Sequence, residues 1–174
     1  MNLYAFSSLC AFTISIFLSA IAYAKGPHDK RRTAIILVIF AIGLWCLFPF
    51  AALKGWPNNS LLFARLVYVS AIFTASAFLS FAQVILNIEK LKPERILLNS
   101  TIIISLFGFL PFLFHPIFIT KIIKVGSFFS ITGGPLYFIF ILYFGAVCFY
   151  CFYRFYLAIK TAKGAIKNQL RYVF

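Results

Sequence analysis

Few polar or ionisable side chains interrupt the apolar stretches of this sequence, and these few side chains are the candidates for a chemical or binding role. Arg65 lies one helical turn inside an apolar stretch. Its side chain either extends to the lipid headgroups, which is the commoner behaviour, or faces other helices and contacts an anionic ligand. His115 is the only ionisable residue of another stretch. It is either a hydrogen-bonded spacer, again the commoner role, or a sensor of pH.

Cys148 and Cys151 form a C-x-x-C pair, a spacing known from redox proteins. Inside an apolar helix the pair lacks the electropositive, partly exposed surroundings that produce a reactive thiolate. We therefore interpret these residues, with Cys10 and Cys46, as small apolar side chains. The sequence also has no phosphate-binding glycine loop, no H-E-x-x-H zinc motif and no G-x-S-x-G nucleophile motif. We expect no enzymatic activity, no cofactor and no metal site.

The composition indicates a membrane protein. The chain is 63% hydrophobic and 11% charged, whereas an average soluble protein is about 25% charged. The net charge of +13 would suggest nucleic acid as a partner of a soluble protein. Here the Lys and Arg residues cluster at the ends of apolar stretches, which favours anionic lipid headgroups as the partner and excludes nucleic acid. The predicted fold class is all-α, a polytopic membrane helical bundle.

Five transmembrane helices are predicted, because a bilayer core needs about 20 apolar helical residues. They span about residues 3–24, 33–53, 61–88, 96–120 and 135–159, within a single domain of residues 1–174. Prolines at positions 49, 111 and 116 are expected to kink or break their helices. The three acids, Asp29, Glu89 and Glu94, are assigned to loops, which leaves no carboxylate pair inside the membrane for proton-coupled transport.

The distribution of positive charge predicts the orientation of the chain. Two loops on one side carry four and three Lys or Arg residues and the segment 160–174 carries four, against four residues on the other side. Positive residues accumulate in cytoplasmic loops. We therefore place the N-terminus outside and the basic segment 160–174 in the cytoplasm. The outer connection 121–134, aromatic and rich in glycine, is expected to lie on the membrane or to cap the bundle.

The order of these features resembles the seven-helix membrane region at the N-terminus of bacterial sensor histidine kinases. The matching residues are Trp45 in the second helix, Ala64, Arg65, Leu66 and Tyr68 in the third, Phe81 and Ala82 at its end, Gly134 to Tyr137 at the start of the fifth, and Arg154 before Lys167-Asn168-Gln169-Leu170-Arg171. The Lys-Asn-Gln-Leu-Arg-Tyr ending after a fifth span is the most specific of these motifs. The resemblance covers nearly the whole chain.

The resemblance implies a sensory or signal-input module in the bacterial cytoplasmic membrane, part of a two-component system. The family continues into two more helices and an output domain, while this chain stops at Phe174. We therefore expect a fragment, a split gene product or an input module that acts on a kinase or other output domain in cis or in trans. A pocket for an unknown small ligand is predicted in the outer half of the bundle, at Trp45, Arg65, Tyr68 and His115.

Two other functions stay open. The proline-interrupted helices suit a small transporter or a transporter fragment, although the sequence shows no internal repeat and no acid inside the membrane. The chain would also suit a structural subunit that packs beside a larger membrane complex.

Overall fold

Helices make up most of the computed structural model, which describes residues 3–25, 29–53, 60–88, 91–112, 115–125 and 128–161. The helices are α1 (Leu3–Lys25), α2 (Lys30–Leu53), α3 (Ser60–Ile85), α4 (Lys92–Ile103) and α5 (Pro135–Thr161). A π-helical segment, Ile104–Phe109, and a 3-10 turn, Leu110–Phe112, follow α4 directly. Two strands, β1 (Ile119–Val125) and β2 (Phe128–Gly133), precede α5.

Four of the described helices are long and apolar enough to cross a membrane. Their candidate spans are Ala5–Ala24, Lys30–Ala52, Leu61–Ile85 and Pro135–Thr161. They fit the predicted helical membrane bundle, and the chain is a multi-pass membrane protein. That the chain has five spans, with the fourth predicted at residues 96–120, and that the N-terminus lies outside, remain predictions. Residues 162–174, most of the predicted basic segment, lie outside the described residues.

The predicted fourth helix, residues 96–120, is displaced in the structure. The helical segment begins earlier, at Lys92, and ends at Phe112, and strand β1 already begins at Ile119. Pro111 has no amide hydrogen to continue the helical ladder, and Pro116 disfavours helical backbone at the residue before it. The proline signals therefore end the helix rather than kink it. The third helix is also shorter than predicted, since α3 ends at Ile85.

The connection before α5 contains an antiparallel β-hairpin, a local element that was not predicted within the otherwise all-α bundle. Strands β1 and β2 pair from Ile119 opposite Gly133 to Val125 opposite Phe128. Their β-branched and aromatic residues suit a pleated strand. The base of the hairpin is joined to α5, because the Gly134 N–H donates to the Phe118 carbonyl at 2.9 Å.

Helix α3 lies at the centre of the described bundle and packs against α2, α4, α5 and β1. Its buried alanines follow a helical spacing: Ala64, Ala71, Ala75 and Ala82. Small residues let membrane helices approach closely, where lipid provides little hydrophobic drive for association. Helices α1 and α2 also approach each other closely, since a Cβ added at Gly43 would lie 3.0 Å from the Cβ of Ser15.

The prediction that all three acidic residues lie in loops was wrong for Glu94. Glu94 lies in the first turn of α4 and is only 5% exposed. Pro93 suits the first turn of a helix, and an acid is favourable at the positive end of the helix dipole. Asp29 precedes α2, and its Oδ1 accepts the Arg32 N–H at 2.8 Å, as a helix-capping residue does. Glu89 lies outside the described residues.

Candidate signal-input site

Tyr68, one of the predicted pocket residues, lies at the centre of an aromatic cluster near the hairpin. Its ring centroid is 5.4 Å from that of Tyr137, 5.6 Å from Phe118 and 5.9 Å from Phe140, all in edge-to-face geometry. The Tyr68 hydroxyl also donates to the Tyr137 hydroxyl at 3.4 Å. Phe118 is fully buried. We call Tyr68, Phe118, Tyr137 and Phe140 the aromatic cluster; it joins α3, the hairpin and α5.

Trp45 reaches this cluster indirectly. Its ring lies 5.6 Å from Phe144, and Phe144 lies 6.0 Å from Phe140. Trp45 is 38% exposed, so it lies at the edge of the packed aromatic rings rather than among them. The structure thus connects Trp45 with Tyr68 through two phenylalanine rings, but the two residues do not form one pocket wall.

His115 and Arg65 hold different positions. His115 is exposed; its Nδ1 accepts the Ile117 N–H at 3.2 Å, and its carbonyl accepts the Phe118 N–H at 3.1 Å. These bonds shape the turn that places Phe118 in the aromatic cluster. Arg65 is half-buried on α3, one helical turn before Tyr68. Contact of either residue with a ligand remains a prediction.

A second set of polar groups lies in the middle of the bundle, where α4 passes into the π-helical segment. Ser105 Oγ lies 3.0 Å from the Tyr143 hydroxyl and 3.4 Å from Ser76 Oγ. The Tyr143 hydroxyl donates to the Thr101 carbonyl at 3.0 Å. One tyrosine of α5 thereby bonds to both sides of the α-to-π transition. Single π turns inside α-helices often occur at functional sites.

The shortest contacts between side chains lie in the second half of α5 and were not predicted from the sequence. The Tyr150 hydroxyl donates to the Glu94 carboxylate, 2.7 Å from each oxygen, and Arg154 Nη2 lies 3.1 Å from Glu94 Oε1. Gln83 Nε2 donates to the Glu94 carbonyl at 2.8 Å. We call Gln83, Glu94, Tyr150 and Arg154 the carboxylate clamp; it joins α3, α4 and α5.

The sequence did contain a signal for the clamp. Tyr150 and Arg154 are four residues apart and therefore share one face of a helix. A buried acid opposite an arginine in an apolar helix is the expected pairing, since an unpaired charge is unfavourable there. Assigning Glu94 to a loop removed it from consideration.

An apolar cavity of about 560 Å³ opens between α2, α3 and the segment that contains α4 and its π turn. Its wall is mostly aliphatic and aromatic, but it also carries serine hydroxyls. The lining residues are Leu37, Phe40, Ala41, Leu44, Ser70, Phe73, Ser76, Ala77, Ser80, Leu98, Ile102, Ser105 and Leu106. We call this cavity the serine cleft. Its size is typical of small-molecule sites, which measure about 300–1,000 Å³.

The two cysteines of the C-x-x-C pair lie on α5. Cys148 is half-buried, Cys151 is buried, and both are free thiols. Within the described ranges, no three His, Cys, Asp or Glu side chains are grouped so that they could hold a metal ion.

Comparison with known proteins identifies one family. The model of the N-terminal 7TM region of histidine kinase matches residues 7–174. No curated protein and no solved structure matches the chain. The suspected resemblance is confirmed over nearly the whole length.

Proposed function

Because the chain belongs to the family of N-terminal 7TM regions of histidine kinases, we propose that it is a membrane-embedded signal-input module. In this role it holds a ligand or senses the bilayer and passes a displacement of α5 to an output domain. A kinase or another output domain, in cis or in trans, receives the signal through the basic segment 160–174. The module carries out no chemistry itself and works in the bacterial cytoplasmic membrane.

The observation that carries this proposal is the attachment of α5 at three levels. The aromatic cluster holds its first two turns, Tyr143 holds its third turn and the carboxylate clamp holds it at Tyr150 and Arg154, past its middle. Each level involves a different set of partners on α3, on α4 or on the hairpin. A change at any one partner therefore reaches the helix that leads into the basic segment.

Signalling by such a module requires two arrangements of the helices. A stimulus shifts the balance between them only by its difference in affinity for the two. The carboxylate clamp suits this requirement, because its bonds are short and directional and are either made or broken. Closely packed helices change between discrete arrangements rather than deforming continuously.

Distance measurements between helices test the proposal. Spin labels carried by unnatural amino acids replace the exposed Phe107 and Phe149, so that the native cysteines are kept. In nanodiscs we expect two distance populations, and Glu94→Gln should change their ratio. One narrow population, unchanged by Glu94→Gln, would show a rigid structural subunit and contradict the proposal.

A transport assay provides the second arm. Proteoliposomes with the purified chain should take up no more of any tested solute than empty liposomes. Uptake that Arg65→Ala abolishes would identify a transporter and overturn the input-module proposal.

The proposed orientation has its own test. In intact cells, single cysteines are introduced at Asn58 and at Lys163 in a background without accessible native thiols. An impermeant maleimide added from outside should label the cysteine at position 58 and not the one at position 163. The reverse pattern would place the C-terminal segment outside and exclude a cytoplasmic output partner.

A further inference from the structure

A charged cavity adjoins the serine cleft, and the two share Leu37 and Ser80 in their walls. This second cavity measures about 780 Å³ and lies at the start of α2 and the end of α3. It is lined by Asp29, Lys30, Arg32, Thr33, Ala34 and Val84 besides the two shared residues. We call it the mouth. A polar entrance that continues into an apolar cleft matches the shape and polarity of an amphiphile.

The mouth favours a negative headgroup. Lys30 is exposed, and Arg32 is half-buried, with Nη1 donating to the Tyr23 carbonyl at 3.2 Å and the guanidinium 5.4 Å from the centre of the Tyr23 ring. The single acid of the lining, Asp29, is engaged in capping α2 through the Arg32 N–H. Two cations against one acid, at the positive end of the α2 dipole, attract an anion.

The headgroup has to supply the affinity. An alkyl chain is as well solvated by lipid as by the walls of the cleft, so burying it there gains little free energy. Charge-assisted hydrogen bonds at Lys30 and Arg32 are therefore the main source of preference for one amphiphile over another. The cleft then selects for a chain that fits beside its aliphatic wall.

We propose that the mouth and the serine cleft together bind a single-chain alkyl carboxylate. The carboxylate lies at Lys30 and Arg32, and the chain extends past Ser80 and Ala77 toward Ser105. The choice of a single-chain acid rests on the proposed signalling function, because an abundant acidic phospholipid would occupy the site constantly and carry no signal.

Ser105 connects this site to α5. Its side chain lines the cleft, and its Oγ lies 3.0 Å from the Tyr143 hydroxyl. The π-helical segment that holds Ser105 therefore forms part of the wall that the alkyl chain touches. Occupation of the cleft acts on α5 through this hydroxyl pair.

Photocrosslinking tests the site without any signalling assay. The probe is a palmitic acid analogue with a diazirine on its chain, added to the full chain in zwitterionic nanodiscs. We expect crosslinks in the peptides that line the cleft, on α3 and on the segment around Ser105. Palmitate should compete, whereas hexadecanol should compete at least about tenfold less well because it lacks the charge. Equal competition by both, or competition by phosphatidylglycerol at the same concentration as palmitate, would overturn the proposal.

Matched variants locate the two parts of the site. Lys30→Gln should weaken probe binding about fivefold, the size expected of one exposed ionic contact, while Lys160→Gln at the exposed end of α5 should leave it unchanged. Ala77→Phe fills the cleft and should reduce crosslinking at least about tenfold, whereas Ala146→Phe, on an exposed part of α5, should not. If Ala77→Phe fails to fold, the Lys30 pair still decides: equal binding by both lysine variants would contradict the site.

The distance measurement between positions 107 and 149 separates this proposal from the proposed function. Probe binding without any change in distance would support the site and remove its signalling role. A distance change on adding palmitate, in a chain that the probe does not crosslink within the cleft, would keep the input function and place the ligand elsewhere.

Discussion

The two ends of α5 are held by opposite kinds of contact. At the hairpin end, the aromatic cluster packs rings with centroids 5.4 to 6.2 Å apart. Toward the other end, the carboxylate clamp uses bonds of 2.7 to 3.1 Å on a single buried acid. Ring packing tolerates small shifts, since each atomic contact is weak and many remain. Charged hydrogen bonds depend on distance and angle and do not tolerate them. The comparison indicates a compliant attachment at one end and a switchable one at the other.

The largest effect is expected from removing the centre of the compliant end. Phe118→Ala empties a site that is fully buried between α3 and α5. A buried Phe-to-Ala change costs about 3–5 kcal/mol, because the neighbouring rings cannot close the cavity. Unfolding of the detergent-solubilised chain by added denaturing detergent measures this loss.

Phe149→Ala is the matched control, since Phe149 is 74% exposed toward the surroundings of α5. We expect it to lie within about 0.5 kcal/mol of the unchanged protein. Equal losses in the two variants would show that the aromatic cluster does not hold the hairpin to the bundle.

Breaking the clamp should have the next largest effect. Glu94→Ala leaves the Arg154 guanidinium and the Tyr150 hydroxyl without their shared partner, whereas Gln83 keeps its bond to the backbone carbonyl of residue 94. Removing one member of a buried ion pair costs about 3–5 kcal/mol. Arg154 is 28% exposed, so water restores part of its solvation and we expect about 2–4 kcal/mol. The same detergent titration measures it.

Arg95→Ala, at an exposed neighbour on the same turn of α4, provides the reference for the clamp. Glu94→Gln should fall between the two, because the amide keeps a hydrogen bond to Tyr150 but loses the charge. If Glu94→Ala were as stable as Arg95→Ala, the attachment of α5 at this end would not depend on the carboxylate.

Much of the fold followed from hydrophobic stretches and their charged ends, but the hairpin did not. The apolar pair Ile122 and Ile123, which lies between two lysines, suits a strand as well as a segment on the membrane surface. Only the pairing with Phe128–Gly133 decides between them, and pairing is a long-range property. The end of the preceding helix depended on Pro111 and Pro116, where the sequence could not distinguish a kink from a stop.

The candidate site was also predicted only in part from the sequence. Tyr68 and Trp45 were predicted from the family resemblance, and the structure joins them through Phe144 and Phe140. Glu94 was missed, because its role appears only when α4 and α5 are placed side by side. A charged residue next to a predicted helix boundary can belong to the first turn of the helix or to the loop before it. Whether it is buried depends on the helix that packs beside it.

Gly134 gives a smaller effect that sharpens the description of the hairpin end. A Cβ added there would lie 2.1 Å from the Ile117 carbonyl oxygen, so Gly134→Ala forces the turn and α5 apart. Overpacking of this kind costs about 1–3 kcal/mol. Gly145→Ala is the control, since no atom lies within 4 Å of its added Cβ, and the loss of backbone freedom should stabilise it slightly. A stable Gly134→Ala variant would show that the hairpin is not tightly joined to α5.

The smallest change in stability is expected from Tyr143→Phe, which removes only the hydroxyl between the two ends. Loss of its bonds to Ser105 and the Thr101 carbonyl should cost about 0.5–1.5 kcal/mol. Tyr153→Phe, at an exposed tyrosine of α5, should cost less than about 0.5 kcal/mol. The informative quantity is the distance distribution between positions 107 and 149. If the middle contact transmits between the compliant and the switchable end, Tyr143→Phe should abolish the response to palmitate although the protein stays folded. A response that survives in Tyr143→Phe would mean that α5 moves as a rigid helix driven from the carboxylate clamp alone.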